Sequence, residues 1–350
     1  MSAKRTKADK GVIPLRTFVA SASLADELRS IPFSVKDFFR SNDGKPFDLN
    51  DGRHGSLRYN LDAVQFSHLV DLSRRRVTSI LGEDALTEKN KVLIKELLDR
   101  PYHIFSAGYF RKTGEIQLGV NLIAPEVIRT SKATAILVEE SSSINEELIT
   151  NHISLNFNII VLGQINHELF HAANHNKGIS NPARNPYSRE LDRDIEEAFV
   201  EFSELLTLRE SGLLPKTVLT KERLRNAHRY YKAIDVTGGS ASWSQKLRET
   251  YNLDLLLATY ENGLHSECIK LFNMKATEPE KGWADEELLF CTALYLQEKG
   301  DLLAVFNRLA AMIDVDVIYK NALEAIGIPK DDLNVFRDYK NGEQLKLRLY

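Results

Sequence analysis

Asn156-Phe157-Asn158-Ile159-Ile160-Val161-Leu162-Gly163-Gln164-Ile165-Asn166-His167-Glu168-Leu169-Phe170-His171-Ala172-Ala173-Asn174 is the stretch on which the reading of this chain turns. It predicts a helix from roughly Asn156 to Asn174, ended by Gly178 and by the loop Ile179 to Tyr187 with its two prolines, Pro182 and Pro186. Its apolar run, Ile153 to Ile165, carries Asn156, Asn158 and Gln164, and is too short and too polar to span a bilayer. His167 and His171 are four residues apart, which on a helix puts both imidazoles on one face with Cα atoms about 6 Å apart along the axis.

Such a pair can hold one zinc ion at Zn–N distances of about 2.0–2.1 Å. Glu168, next to the first histidine, is placed to take a proton from a water polarised by the metal and return it to a leaving amine. Zinc lowers the pKa of such a water to about 7. The competing reading is a surface helix with incidental histidines. The helical context, the strands expected before it and the small Ala172 and Ala173 after it weigh against that. His175 continues the four-residue series, but it lies about 12 Å along the axis from His167, too far to share one ion. It reads as a polar helix-end residue.

A tetrahedral catalytic site needs a third protein ligand and leaves its fourth position to water. The next helix, about Ser188 to Ser211 and closed by Gly212, has a core-facing stripe of Leu191, Ile195, Ala198, Phe202 and Leu205. Asp194, Glu196, Glu197 and Glu201 crowd its first half, and each is a candidate. Glu196 shares a mixed face with Val200, Ser203 and Thr207 that could be buried. The bland alternative is a solvated acidic face balanced by Arg189, Arg193 and Arg209.

Here the chain resembles the gluzincins, the thermolysin-like zincin metallopeptidases, in which a downstream helix gives a glutamate ligand with an acidic residue four positions later. Glu197-Ala198-Phe199-Val200-Glu201 fits, with 25 residues between His171 and Glu197. The resemblance implies Glu197 as third zinc ligand and Glu201 as a carboxylate behind a ligand histidine, with Glu196 the alternative ligand. A weaker likeness is to the intracellular ImmA/IrrE-type metallopeptidases, through His167-Glu168-Leu169 with His171, then Glu197-Ala198, then Leu205-Leu206. Phe170 stands where that family usually has Gly, Phe199 replaces its Asn, and no Met-Pro follows Leu206.

Outward from this core, His103 to Phe110 and Glu115 to Leu122 predict a β-hairpin around the turn Arg111-Lys112-Thr113-Gly114, with a possible third strand at Ala135 to Glu139. Zincins bind substrate backbone along an edge strand above the active helix. By that resemblance Gly114 to Asn121 is the first choice for the edge and Ala135 to Glu139 the second. Tyr187, His228, Tyr230, Tyr231 and Tyr251 have the chemistry to stabilise an oxyanion.

Residues 15–101 read as mostly helical: Ala22 to Phe39 with an interruption at Pro32, Ala63 to Leu81, and a helix capped by Thr87 and running to Leu98. Ser41 to Gly55 reads as a loop, and Arg74-Arg75-Arg76 as a solvated helix face rather than a phosphate site. Residues 1–14 read as a disordered basic tail, 102–215 as the zincin-like catalytic core, and 216–350 as a helical C-terminal lobe without a chemical motif.

The expectation is an α-rich α+β protein with a small β-sheet. A net charge of -3 offers no field to draw nucleic acid, and Cys268 and Cys291 are too few for a disulfide framework. With no apolar segment behind the basic start, a cytoplasmic location and no membrane association are expected. The function expected is zinc-dependent hydrolysis of a protein or peptide substrate. The rivals are a helical regulatory or binding protein with a structural or inactive zincin site, and a nucleic-acid-associated regulator using the basic tail.

Overall fold

A computed structural model of the chain describes residues 22–31, 39–41, 57–59, 63–95, 107–119, 146–177, 189–211 and 294–310, with single helical residues between 127 and 135 and between 249 and 292. The described residues fall into two compact units, Ala20–Leu255 and another that takes in those from Leu256 onward.

The first unit is α-rich with a small mixed sheet, an α+β arrangement. Its elements are α1 (Ala22–Ser30), β1 (Phe39–Ser41), β2 (Leu57–Tyr59), α2 (Ala63–Leu81), β3 (Val92–Lys95), β4 (Ala107–Phe110), β5 (Glu115–Gly119), α3 (Glu146–Asn176) and α4 (Arg189–Glu210). The second unit holds α5 (Leu302–Ala310), whose first turn is capped by Asp301 Oδ1 accepting from the amides of Leu303 and Ala304.

The central element is α3, longer than its periodicity suggested. From Asn156 to Asn166 every residue is buried, so this part is enclosed on all sides. Its amides are paired within the core. Asn158 accepts from Gln65 of α2 at 2.8 Å and donates to the Leu28 carbonyl of α1 at 3.1 Å. These bonds explain how a run too polar for a membrane serves as a core. No helix among the described residues is long and apolar enough to cross a membrane.

Helix α4 lies against α3. The mixed face of Glu196, Val200, Ser203 and Thr207 is buried in this contact, while Phe202 and Leu205 are buried beside it. The approach is close at Gly163, where an added Cβ would meet Leu208 Cδ2 at 3.0 Å and Glu204 Oε1 at 3.4 Å. Any larger residue there would press on both.

Several sequence expectations are corrected. The helix from Thr87 to Leu98 is not formed. Thr87 sits in a turn with its amide bonded to Asn90 Oδ1 at 2.7 Å, and Val92–Lys95 is β3, pairing parallel with β5. Three strands therefore interrupt the N-terminal region read as helical, and Phe39 opens β1 rather than closing a helix. Residues 42–55 of the expected loop lie outside the described residues.

The hairpin forms as expected. Gly114, at φ +77, closes the turn by donating to the Phe110 carbonyl at 2.8 Å, a conformation that disfavours any side chain. The strand order is β3-β5-β4, so the stretch beginning at Gly114 is the middle of the sheet and not its edge. Its second partner comes from a segment more than 20 residues upstream, which local alternation cannot reveal. Ala135 is helical, and 136–139 lie outside the described residues.

The arginines of α2 are structural. Arg74 donates to the Asn90 carbonyl, Arg75 pairs with Glu27, and Arg76 reaches Thr207 and Glu210 of α4.

Candidate metal centre

Two helices build the site. On α3, His167 and His171 lie one turn apart with ring centroids 5.0 Å from each other. On α4, Glu197, Glu201 and Glu204 recur at steps of four and three, one face of a helix turned toward the histidines. Glu197 Oε2 stands 3.3 Å from His171 Nε2 and 4.0 Å from His167 Nε2.

The other nitrogen of each ring is held from behind. His167 Nδ1 lies 2.8 Å from Glu204 Oε2, and His171 Nδ1 lies 3.0 Å from Glu196 Oε1. An ionised carboxylate only accepts, so each Nδ1 is the donor and each Nε2 faces Glu197. The remaining oxygens are also engaged, Glu204 Oε1 by Gln164 Nε2 at 3.4 Å and Glu196 Oε2 by Arg111 Nη2 at 3.0 Å.

His167, His171 and Glu197 can therefore hold a metal ion: each offers one ligand atom, all within 4.8 Å of one another. Tetrahedral zinc with bonds near 2.0–2.1 Å needs ligand atoms about 3.4 Å apart. The His171–Glu197 separation already meets that spacing, and the His167–Glu197 pair needs a closure of about half an ångström. The set of two imidazoles and one carboxylate is also the kind catalytic zinc takes. Glu197 is 46% exposed, which leaves the site open toward solvent on that side.

Burial opposes charge on His171, but hydrogen bonds to Glu196 and Glu197 and the charges of Glu197 and Glu168 outweigh it, and its pKa is pushed up to about 10. A proton on Nε2, directed at Glu197, thus occupies in the metal-free protein the place a cation would take. Glu168 is buried, and its carboxylate takes no hydrogen bond among the described residues.

The assignment behind the histidines shifts relative to the sequence reading. Glu201 Oε2 lies 3.7 Å from His167 Nδ1, farther than Glu204, which is wholly buried. Glu204, missed because it stands beyond the acidic cluster, between Ser203 and Leu205, is the nearer partner. Its seven-residue spacing from Glu197 was the available signal. Glu196, the alternative ligand, is engaged with Arg111 and with the far side of His171. Arg111, read only as turn chemistry, was missed as well.

Asp194 belongs to α4, with a side chain outside the described residues, as are Tyr187, His228, Tyr230, Tyr231 and Tyr251. His175, set aside as a ligand, bonds Tyr109 of β4, with Oη 2.9 Å from Nδ1.

Phe170 and Phe199 touch each other. Their rings meet edge to face at 5.8 Å, both buried between α3 and α4. Such an aromatic pair is worth about 0.5–1.5 kcal/mol beyond its buried area.

No protein-family model, curated protein or solved structure matches this chain.

Proposed function

We propose that the protein is a zinc metallopeptidase with a zincin-like core, binding zinc through His167, His171 and Glu197 and hydrolysing peptide bonds of a protein or peptide substrate. The observation that carries this reading is the convergence of both Nε2 atoms on Glu197 while both Nδ1 atoms are held by carboxylates. A carboxylate behind an imidazole fixes its tautomer and raises its basicity toward a metal.

Zinc bound there would polarise a water molecule and stabilise negative charge developing on a substrate carbonyl. Glu168 would be the group to take a proton from that water and return it to a leaving amine, a role that suits a carboxylate not engaged in a hydrogen bond among the described residues. Glu204 and Glu196 keep the two rings in place. By the zincin resemblance an extended peptide adds to an edge strand. Among the described residues the edges of the sheet are β3 and β4, and the edge assigned to the peptide is β4, which packs on α3 and carries Tyr109 beside His175.

The test is metal content by plasma mass spectrometry on the wild type, His171→Ala and Glu197→Ala, followed by peptide-library turnover with Glu168→Gln. About one zinc per chain, lost in both ligand variants, with turnover lost but zinc kept in Glu168→Gln, is the expected result. No metal in the wild type after zinc is added back would sink the proposal. Zinc kept with no turnover that depends on Glu168 would leave a regulatory protein with a structural site.

A further inference from the structure

We infer that Arg111, at the tip of the β4–β5 hairpin, is a positioning residue that decides which glutamate binds the metal, an inference resting on the zinc reading above. Glu196 and Glu197 are adjacent on α4, and both approach His171, at 3.0 Å from Nδ1 and 3.3 Å from Nε2. By residue type either could be the third ligand. What sets Glu196 apart is where its two oxygens are held.

Glu196 directs Oε1 to His171 Nδ1 and Oε2 to Arg111 Nη2, with its side chain 3% exposed. A carboxylate bridged between an imidazole N–H and a guanidinium is fixed at both ends. The guanidinium contributes a charge-assisted bond, stronger than a neutral one. So anchored, Glu196 stays behind the ring, orients Nε2 outward and leaves the metal position to Glu197. Arg111 in turn is fixed by the hairpin: Gly114 closes the turn, and the Gly114 carbonyl accepts from the buried Asn90 side chain at 3.2 Å. The chain of contacts thus runs from sheet to turn, to Glu196, to His171.

Removing the guanidinium takes away one of the contacts that hold Glu196 behind the ring and lets its carboxylate shift toward the ion. The experiment measures zinc affinity by competition with a chromophoric chelator for the wild type, Arg111→Gln, Arg111→Lys, Glu197→Ala and the Arg111→Gln/Glu197→Ala double variant. Arg111→Gln should weaken zinc binding about tenfold, at the lower end of the losses seen when outer contacts of a metal ligand are removed. Arg111→Lys should recover part of it.

The deciding result is the double variant. If Arg111 confines Glu196, the loss caused by Glu197→Ala is smaller in the Arg111→Gln background, because Glu196 partly replaces the missing ligand. A role in folding alone gives losses that multiply independently, and that result overturns the inference. So does an Arg111→Gln affinity equal to wild type. Both leave the metallopeptidase reading intact, whereas a wild type that binds no zinc overturns the two together.

Discussion

The two ends of the candidate metal centre are built differently. At the inner end, His167 is backed by Glu204, which is wholly buried and bonded to Gln164 from the same helix as the histidine. At the outer end, His171 is backed by Glu196, and behind Glu196 stands Arg111, 52% exposed on a hairpin turn. The inner contacts are sealed into the packing of α3 on α4, so they form as the core forms. The outer contacts depend on a turn docking from the sheet, so they can change while the core stays intact. A single helix presents both histidines, with side chains 16% and 13% exposed, so the two ends differ in what stands behind the rings and not in the burial of the rings themselves.

Glu204→Ala should break this comparison most strongly. It removes the acceptor nearest His167 Nδ1 and one acceptor of Gln164, at a cost of about 1–3 kcal/mol, and it weakens zinc binding by about 10–100-fold. Glu196→Ala should weaken zinc binding to a similar degree but cost less stability, since a half-exposed Arg111 regains water. Urea denaturation of the two metal-free variants checks this, and equal losses would remove the distinction between the ends.

The pH dependence comes next, and it belongs to the outer end. His171 in the folded, metal-free protein has its pKa raised to about 10 from an ordinary 6.5, with Glu196 and Glu197 outweighing the cost of burial. Its contribution to stability is therefore full below about pH 6.5 and is lost as pH rises toward 10. If zinc takes the place of that proton, binding should release one proton per chain within this window. Calorimetry in two buffers of different ionisation enthalpy measures the release, and His171→Ala should abolish it.

Gly163→Ala probes the inner end with a smaller expected change. Alanine gains about 1 kcal/mol of helix propensity but crowds Leu208 and Glu204, an overpacking that costs about 1–3 kcal/mol. The net loss of stability should be about 1 kcal/mol, with zinc affinity reduced severalfold as Glu204 is pushed from His167. An affinity equal to wild type would show that Glu204 tolerates the shift. The smallest effect is expected of Tyr109→Phe, which removes one exposed hydrogen bond to His175 and should alter stability by about 0.5 kcal/mol or less. Unchanged zinc affinity in this variant would keep the Tyr109–His175 pair outside the metal centre.

Much of this was legible from the residues. Helix α2 matches its expected span, and α4 matches to within a residue, because apolar recurrence and the glycine that follows α4 are local signals. The hairpin was legible from Arg111 to Gly114 for the same reason. What failed was non-local. Val92–Lys95 is only four residues long, and its pairing with β5 depends on a partner more than 20 residues away. Without that partner β5 looked like an edge. In the site, the histidines and Glu197 carry a recognisable spacing. Glu204 stands beyond the acidic cluster, and Arg111 is joined to the site by a contact across 85 residues of sequence.

Asn90 gives the fold a point of chemical ageing. Its amide oxygen accepts from Thr87 and from Asn176 at the end of α3, and its amide nitrogen donates to the turn at Gly114. Deamidation would change few atoms, but it would replace that donor by a negative oxygen facing the Gly114 carbonyl. The hairpin would then be repelled where it is now held, and damage to one amide would reach Arg111 and the metal centre beyond it. Burial at 1% exposure keeps this residue from water. A single asparagine that takes no part in binding thus ties the turn that carries Arg111 to the end of α3.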